Sequence, residues 1–265
     1  MVTKEPVDPT QIIEVRFGKF SMHRIVIALA VVAPALLGAV GLPWQEPPRI
    51  SVWEGVYTSA QAARGKEAYE RHCSGCHKSD LTGANGRALV GPRFWQDWGE
   101  DSLGSLSHIT RTSMPRGAAA SLDESVYLDI VAYILERNGY PAGADELTTE
   151  RVDRVWVTRR EGPGPVPNFA LVRVVGCLER SADTWTLRAA SEPIRTRNPD
   201  ASVDAERAAI DVTPLGGSTF ELMDVYSSGE ARIGHRIEVK GLLIRGSPDR
   251  VNVTSVRTIA EACRN

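Results

Sequence analysis

Two cysteines and a histidine in the first third of the chain have a spacing that supports covalent chemistry. Cys73 and Cys76 stand three residues apart, and His77 directly follows the second cysteine. Two thiols at this spacing can each add to one vinyl group on the same edge of a protohaem, which delivers the histidine to the iron. The pattern therefore predicts one covalently bound haem, held by thioethers at Cys73 and Cys76, with His77 as an axial ligand.

Other uses of a Cys-x-x-Cys pair fit this sequence less well. A thioredoxin-like redox pair would follow a β-strand at the start of a helix, and a structural zinc site would need a second pair of ligands. The other cysteines, Cys177 and Cys263, stand singly and far downstream. Haem attachment is the interpretation that the sequence favours.

A six-coordinate haem needs a second axial ligand besides His77. Of the four methionines in the chain, Met114 is the first to follow the motif, thirty-seven residues after His77, and Pro115 restrains the backbone after it. A thioether favours ferrous iron and raises the reduction potential, so His77 and Met114 would make a closed, one-electron carrier. The alternative ligand is His108, which would give a bis-histidine site.

Two predicted helices flank these residues. Thr58 with Gln61 forms a capping-box pattern, which predicts a helix that runs to the haem motif. Ser121 with Glu124 predicts a second, amphipathic helix that ends at Gly139.

Residues 57–143 resemble the class I mono-haem c-type cytochromes. The resemblance lies in the haem motif, the Ser-Met-Pro sequence at 113–115 and the Asp-Ile-Val-Ala-Tyr-Ile sequence at 129–134. It implies an all-α domain in which Gly65 and Tyr69 pack against the closing helix.

The same resemblance implies roles for two further residues. The loop before the closing helix carries the second ligand in this family, which supports Met114. The family also holds its axial histidine through a proline carbonyl in a Gly-Pro pair, and Gly91-Pro92 matches that pair. Pro92 is therefore expected to accept a hydrogen bond from His77.

The amino terminus predicts export. An uncharged stretch of eighteen residues, 25–42, follows three basic residues. Small residues at 39–41 suit cleavage, and the stretch is also about long enough to span a bilayer. Residues 1–42 are thus a signal peptide or an N-terminal membrane anchor, and both place the protein in the periplasm or on the outer face of the cytoplasmic membrane.

The rest of the chain predicts a second folded unit. Residues 144–168 read as a Pro/Gly-rich linker, and residues 169–265 contain five strand-like segments. These segments are 169–178, 185–189, 219–223, 236–245 and 251–259. With a short helix expected at 224–234, the order predicts an all-β, OB-like five-stranded barrel, with a small immunoglobulin-like β-sandwich as the alternative. The polar stretch 191–217 would be a long loop.

The charge of the second unit disfavours nucleic acid as a ligand. Residues 169–265 contain thirteen basic and thirteen acidic residues, so they lack the basic surface that nucleic acid requires.

The second unit also contains two cysteines that could pair. Cys177 lies in the first strand and Cys263 near the chain end, and an oxidising compartment would let them form a disulfide.

The predicted function is electron transfer outside the cytoplasm, by a carrier that does no catalysis itself and acts alone or as a subunit of an oxidoreductase complex. The resemblance implies redox partners such as a periplasmic dehydrogenase, a terminal oxidase or another cytochrome. Two alternatives stay open: a haem enzyme or gas sensor whose sixth position opens, and a ligand-binding β-barrel module with a cytochrome attached.

Overall fold

The computed structural model describes residues 48–225, 230 and 232–264. All the described residues belong to one compact unit. The predicted signal peptide or anchor at 1–42 lies outside the described residues. Within the described part of the chain, no helix is long and apolar enough to cross a membrane.

The first part of the described chain, residues 48–158, is helical and is called the helical region below. Its helices are α1 (Ser59–His72), α2 (Ser74–His77), α3 (Gly91–Trp98), α4 (Leu103–Ser113), α5 (Glu124–Arg137) and α6 (Thr149–Val152). Two short strands, β1 (Ile50–Ser51) and β2 (Val155–Trp156), pair in parallel.

The two predicted helices are present, with different caps. Thr58 accepts a hydrogen bond from the amide of Gln61 at the start of α1, as expected, but the Gln61 side chain bonds both backbone groups of Leu147 at 2.8 and 3.0 Å. Helix α5 begins at Glu124 after Asp123, so the predicted cap at Ser121 is wrong. The helix ends where predicted, because Gly139 follows with a φ of 82°.

Helices α1 and α5 cross backbone to backbone, as the resemblance implies. Gly65 allows this approach, since a β-carbon there would lie 1.8 Å from the carbonyl oxygen of Asp129. Tyr69 packs on Tyr133 with ring centroids 5.4 Å apart. Arg64 binds the Asp129 carboxylate through two hydrogen bonds of 2.9 and 3.0 Å.

Part of the segment predicted as linker belongs to the helical core. Val155 and Val157 are fully buried against the helices, and Leu147 is 2% exposed. The Pro/Gly run at 162–167 is typical of a linker, and it led to the prediction for the whole segment. The valines just before this run alternate as in a β-strand and pack into the helical core.

The β region, residues 169–264 as described, holds six strands. They are β3 (Leu171–Ser181), β4 (Thr184–Ala190), β5 (Ile194–Arg195), β6 (Ser218–Met223), β7 (Arg236–Ile244) and β8 (Arg250–Ala260). Five of them match the predicted segments, and β5 is additional. The sheet order is β4-β6-β8-β7-β3-β5, and β3 also pairs with β4.

The polar stretch 191–217 is not only a loop. It contains β5 and helix α7 (Asp204–Asp211), and this helix lies between β5 and β6. The helix expected at 224–234 falls partly outside the described residues. Alternating side chains still build the core: Val172, Val174, Ile237 and Val239 are at most 1% exposed.

The predicted disulfide is present. Cys177 and Cys263 are bonded, with their α-carbons 5.5 Å apart. The expected reason was a pairing of first and last strands, but β3 pairs with β4, β5 and β7. Cys263 instead reaches Cys177 from the tail after β8, where its amide bonds the carbonyl of Gly234 at 2.9 Å.

Candidate haem-binding site

The three residues of the motif lie within one helical turn. Cys73 ends α1, with its amide bonded to the carbonyl of Tyr69 at 2.8 Å. The amides of Cys76 and His77 then bond the Cys73 carbonyl at 3.1 and 3.0 Å. Both cysteines are free thiols, Cys73 half-buried and Cys76 exposed.

The environment of Cys73 differs from that of a redox-active thiol pair. Burial, and secondarily the charge of Cys76, raises the pKa of Cys73 to about 11. Catalytic Cys-x-x-Cys pairs have a lowered pKa, because the thiolate is the reactive form. Cys73 lacks that activation, which agrees with the sequence argument against a thioredoxin-like pair.

His77 is held so that one ring nitrogen stays available. The side chain is buried, and Nδ1 lies 2.6 Å from the carbonyl oxygen of Arg87. A carbonyl can only accept, so Nδ1 carries the proton and Nε2 keeps its lone pair for a metal. Gly86 borders the ring closely, since a β-carbon there would lie 2.6–2.8 Å from three imidazole atoms.

The partner expected from the resemblance, Pro92, is not the residue found at His77. Pro92 lies in the first turn of α3 and is exposed. Carbonyls of a first helical turn accept the bonds of their own helix and point along its axis. The turn before α3 brings the carbonyl of Arg87 to Nδ1 instead.

The two candidates for the second iron ligand, Met114 and His108, lie at the end of α4 and within it. Met114 follows α4 as its C-terminal cap, is half-buried, and its carbonyl accepts a 2.9 Å hydrogen bond from the buried Tyr127 hydroxyl. His108 lies within α4 and is exposed. The burial of the two side chains favours Met114 as the second ligand, and that role stays a prediction.

Two side chains that sequence reasoning missed hold the loop between the motif and α3. The Tyr69 hydroxyl donates to the carbonyl of Lys78 at 2.8 Å. Asn138 donates to the carbonyl of Leu89 at 2.9 Å and accepts from the amide of Gly91 at 3.0 Å. Asn138 stands directly before the helix-ending Gly139, and an asparagine is common at the end of a helix. The sequence therefore gives no sign that its side chain also binds the loop before α3.

The donor set fits a haem c. It consists of two free thiols on one helical turn, an imidazole with Nε2 available and a half-buried thioether. Imidazole and thioether groups are ligands of haem iron in proteins.

Comparisons with known proteins agree with this site. Residues 60–134 match the family described as cytochrome C oxidase, cbb3-type, subunit III. Cytochrome c-551 of Bacillus subtilis (strain 168) is 33% identical over 102 residues, which cover 38% of this chain and 82% of that protein.

Among solved structures, the sulfane dehydrogenase SoxCD from Paracoccus pantotrophus is similar at 22% identity with a TM-score of 0.31. The similarity covers 44% of this chain and 68% of that one. A likeness at this level carries no argument about function. The sequence identity of 33% to cytochrome c-551 extends over 82% of that protein. Together with the haem motif, this identity shows that the chain belongs to the cytochrome c family.

Proposed function

We propose that this protein is an extracytoplasmic electron carrier with one covalent haem c whose iron is bound by His77 and Met114. Electron transfer of the cytochrome c type follows from the family. The hydrogen bond from His77 Nδ1 to the Arg87 carbonyl is the observation that carries the axial assignment, because it directs Nε2 toward a metal.

Each residue of the site has a distinct part in this proposal. A bound haem supplies a one-electron couple between ferric and ferrous iron. Cys73 and Cys76 keep the haem on the chain, and His77 retains its proton on Nδ1 throughout. Met114 would be the second ligand of the iron and would leave no open site for O₂ or substrates.

The proposed location is the periplasm or the outer face of the cytoplasmic membrane. The uncharged segment 25–42 after basic residues supports export. The Cys177–Cys263 disulfide also suits an oxidising compartment. In that location the donor would be a periplasmic dehydrogenase, and the acceptor a terminal oxidase or another cytochrome of the respiratory chain.

We assign the β region an OB-like barrel fold and a role in docking a redox partner. Support for the barrel comes from pairings that return to their start, from β3 through β4, β6, β8 and β7 back to β3. The pair β6–β8 is parallel and the other four are antiparallel, which is the pattern of a five-stranded Greek-key barrel. The balanced charge of residues 169–265 disfavours nucleic acid as the ligand.

The proposal is tested by spectroscopy on protein produced in the periplasm of a bacterial host that attaches haem covalently. Acid-acetone extraction should leave one haem on the chain, and replacing both motif cysteines should abolish this. The ferrous protein should not bind carbon monoxide, because Met114 closes the iron. Release of free haem would refute covalent attachment, and carbon monoxide binding would favour the enzyme or gas-sensor alternative.

A further inference from the structure

The carboxyl end of α3 is held by an arginine from the β region. Arg195 donates to three carbonyls there: Gln96 at 3.0 Å, Asp97 at 3.2 Å and Gly99 at 2.9 Å. The last carbonyls of a helix have no partner within it and carry the negative end of the helix dipole. A guanidinium is the side chain that best satisfies several such acceptors at once.

A second arginine reinforces this contact from the same segment. Arg197 donates to the carboxylate of Asp101 and to the carbonyl of Asp97, each at 2.7 Å. Its guanidinium also lies 4.3 Å from the centroid of the Trp98 ring. Arg195 and Arg197 are called the arginine clamp below.

The clamp comes at an electrostatic cost. Arg195 is 9% exposed, and burial, with the nearby charge of Arg197, lowers its pKa to about 10. The three carbonyls offset this cost, and removing the Arg195 guanidinium would take this donor from the carbonyls of Gln96 and Gly99, while the Asp97 carbonyl would keep Arg197. The geometry of the carboxyl end of α3 therefore depends on the clamp.

The same end of α3 is connected to the haem motif. The Asp97 carboxylate accepts from the Arg87 side chain at 3.1 and 3.2 Å, and Arg93 binds it at 3.0 Å. The carbonyl of Arg87 is the group at Nδ1 of His77. A short path thus leads from the clamp through Asp97 and Arg87 to the imidazole.

We infer that Arg195 and Arg197 are positioning residues for the haem ligand, acting through Asp97 and Arg87 on the hydrogen bond at His77 Nδ1. This rests on the proposed function in so far as His77 binds the iron. A hydrogen bond at Nδ1 makes the imidazole a stronger donor to the metal and stabilises the ferric state. The β region thereby lowers the reduction potential of a haem to which it contributes no ligand.

The direction of the change in reduction potential distinguishes loss of the clamp from loss of a positive charge. Replacing an arginine by glutamine removes a positive charge, which alone would stabilise ferric iron and lower the potential. Loss of the clamp would instead weaken the bond at Nδ1 and raise the potential. The two causes act in opposite directions.

The experiment measures midpoint potentials of the full-length, haem-loaded protein with the variants Arg195→Gln, Arg197→Gln, Asp97→Asn and Arg87→Gln. The control is Arg188→Gln, which removes the same charge from an exposed residue paired with Glu179 inside the β region. The exchange rate of the His77 Nδ1 proton, followed by NMR, is the second readout.

We expect all four variants to speed proton exchange several-fold and the three arginine variants to raise the potential against the charge effect, with no such change in the control. Removing the Asp97 charge raises the potential by itself, so Asp97→Asn is judged by proton exchange. Combining Arg197→Gln with Asp97→Asn should give less than the sum of the single shifts, because both act on one path. Arg197 is partly exposed, so Arg197→Gln carries the test if Arg195→Gln fails to fold.

Folded clamp variants whose potential falls or equals that of the control, or whose proton exchange is unchanged, would overturn the inference. The proposed function is judged separately on the unmodified protein. If that protein carries no histidine-ligated haem, the proposed function fails before any variant is compared.

Discussion

A β-carbon at residue 65 would lie 1.8 Å from the carbonyl oxygen of Asp129, so Gly65 and Asp129 mark the point where α1 and α5 touch backbone to backbone. The haem motif follows directly at the end of α1, so this contact fixes the direction from which the motif starts. The overlap cannot be relieved by rotating a side chain, because the atom it meets belongs to the main chain.

Gly65→Ala should therefore lower the free energy of unfolding by at least about 2 kcal/mol, since one helix must move away from the other. Denaturant unfolding followed by circular dichroism measures the loss. Gly217→Ala is the matched control, because its β-carbon would meet no atom within 4 Å. Equal stability of the two variants would mean that α1 and α5 do not pack at this distance.

The second iron ligand is tested by paired substitutions in and after α4. Met114→Ala should abolish the weak sulfur-to-iron band at the red edge of the ferric spectrum and lower the potential, because a soft ligand is lost. His108→Ala should change neither property, since the side chain is exposed. The reverse result would make the site bis-histidine.

Local sequence signals predicted the parts of this molecule that depend on neighbouring residues. The motif at Cys73, the cap at Thr58 and the alternation of the β-strands each depend on residues a few positions apart. Thr58 was correctly predicted as a cap, but the Gln61 side chain binds Leu147, which no local pattern indicates.

Long-range contacts explain the remaining differences. The conformation of a turn brings the carbonyl of Arg87 to His77. Every residue has a backbone carbonyl, so the type of residue at position 87 does not indicate this contact. Arg195 binds carbonyls of α3 almost a hundred positions earlier, and its segment reads as an ordinary polar loop. The Arg195 contacts depend on how the helical region and the β region pack, which spacing along the chain does not encode.

The Cys177–Cys263 bond should stabilise the β region without affecting the haem. It closes a loop of 86 residues, for which loop-closure theory gives about 4.6 kcal/mol at best. The double serine variant should unfold at lower denaturant concentration, with an unchanged haem spectrum. A changed spectrum would mean that the bond also holds the arginine clamp against α3.

Glu100 should make stability depend on pH. Its carboxyl is buried and accepts a 2.9 Å hydrogen bond from the amide of Gly164. Burial raises its pKa above the ordinary 4.5, although that hydrogen bond and nearby arginines oppose the shift. In the interval between the unfolded and folded pKa values, the folded protein binds more protons, so stability contributed by this group falls as pH rises.

Glu100→Gln removes this titration while keeping an oxygen that can accept from Gly164. Relative to this variant, the unmodified protein should lose stability as pH rises above 4.5, and the difference should level off above the folded pKa. Urea unfolding at a series of pH values between about 4 and 8 measures the difference. Glu161→Gln, a change at an exposed carboxylate, controls for the loss of one negative charge. A stability difference that stays constant, or grows in favour of the unmodified protein as pH rises, would show that burial does not dominate at Glu100.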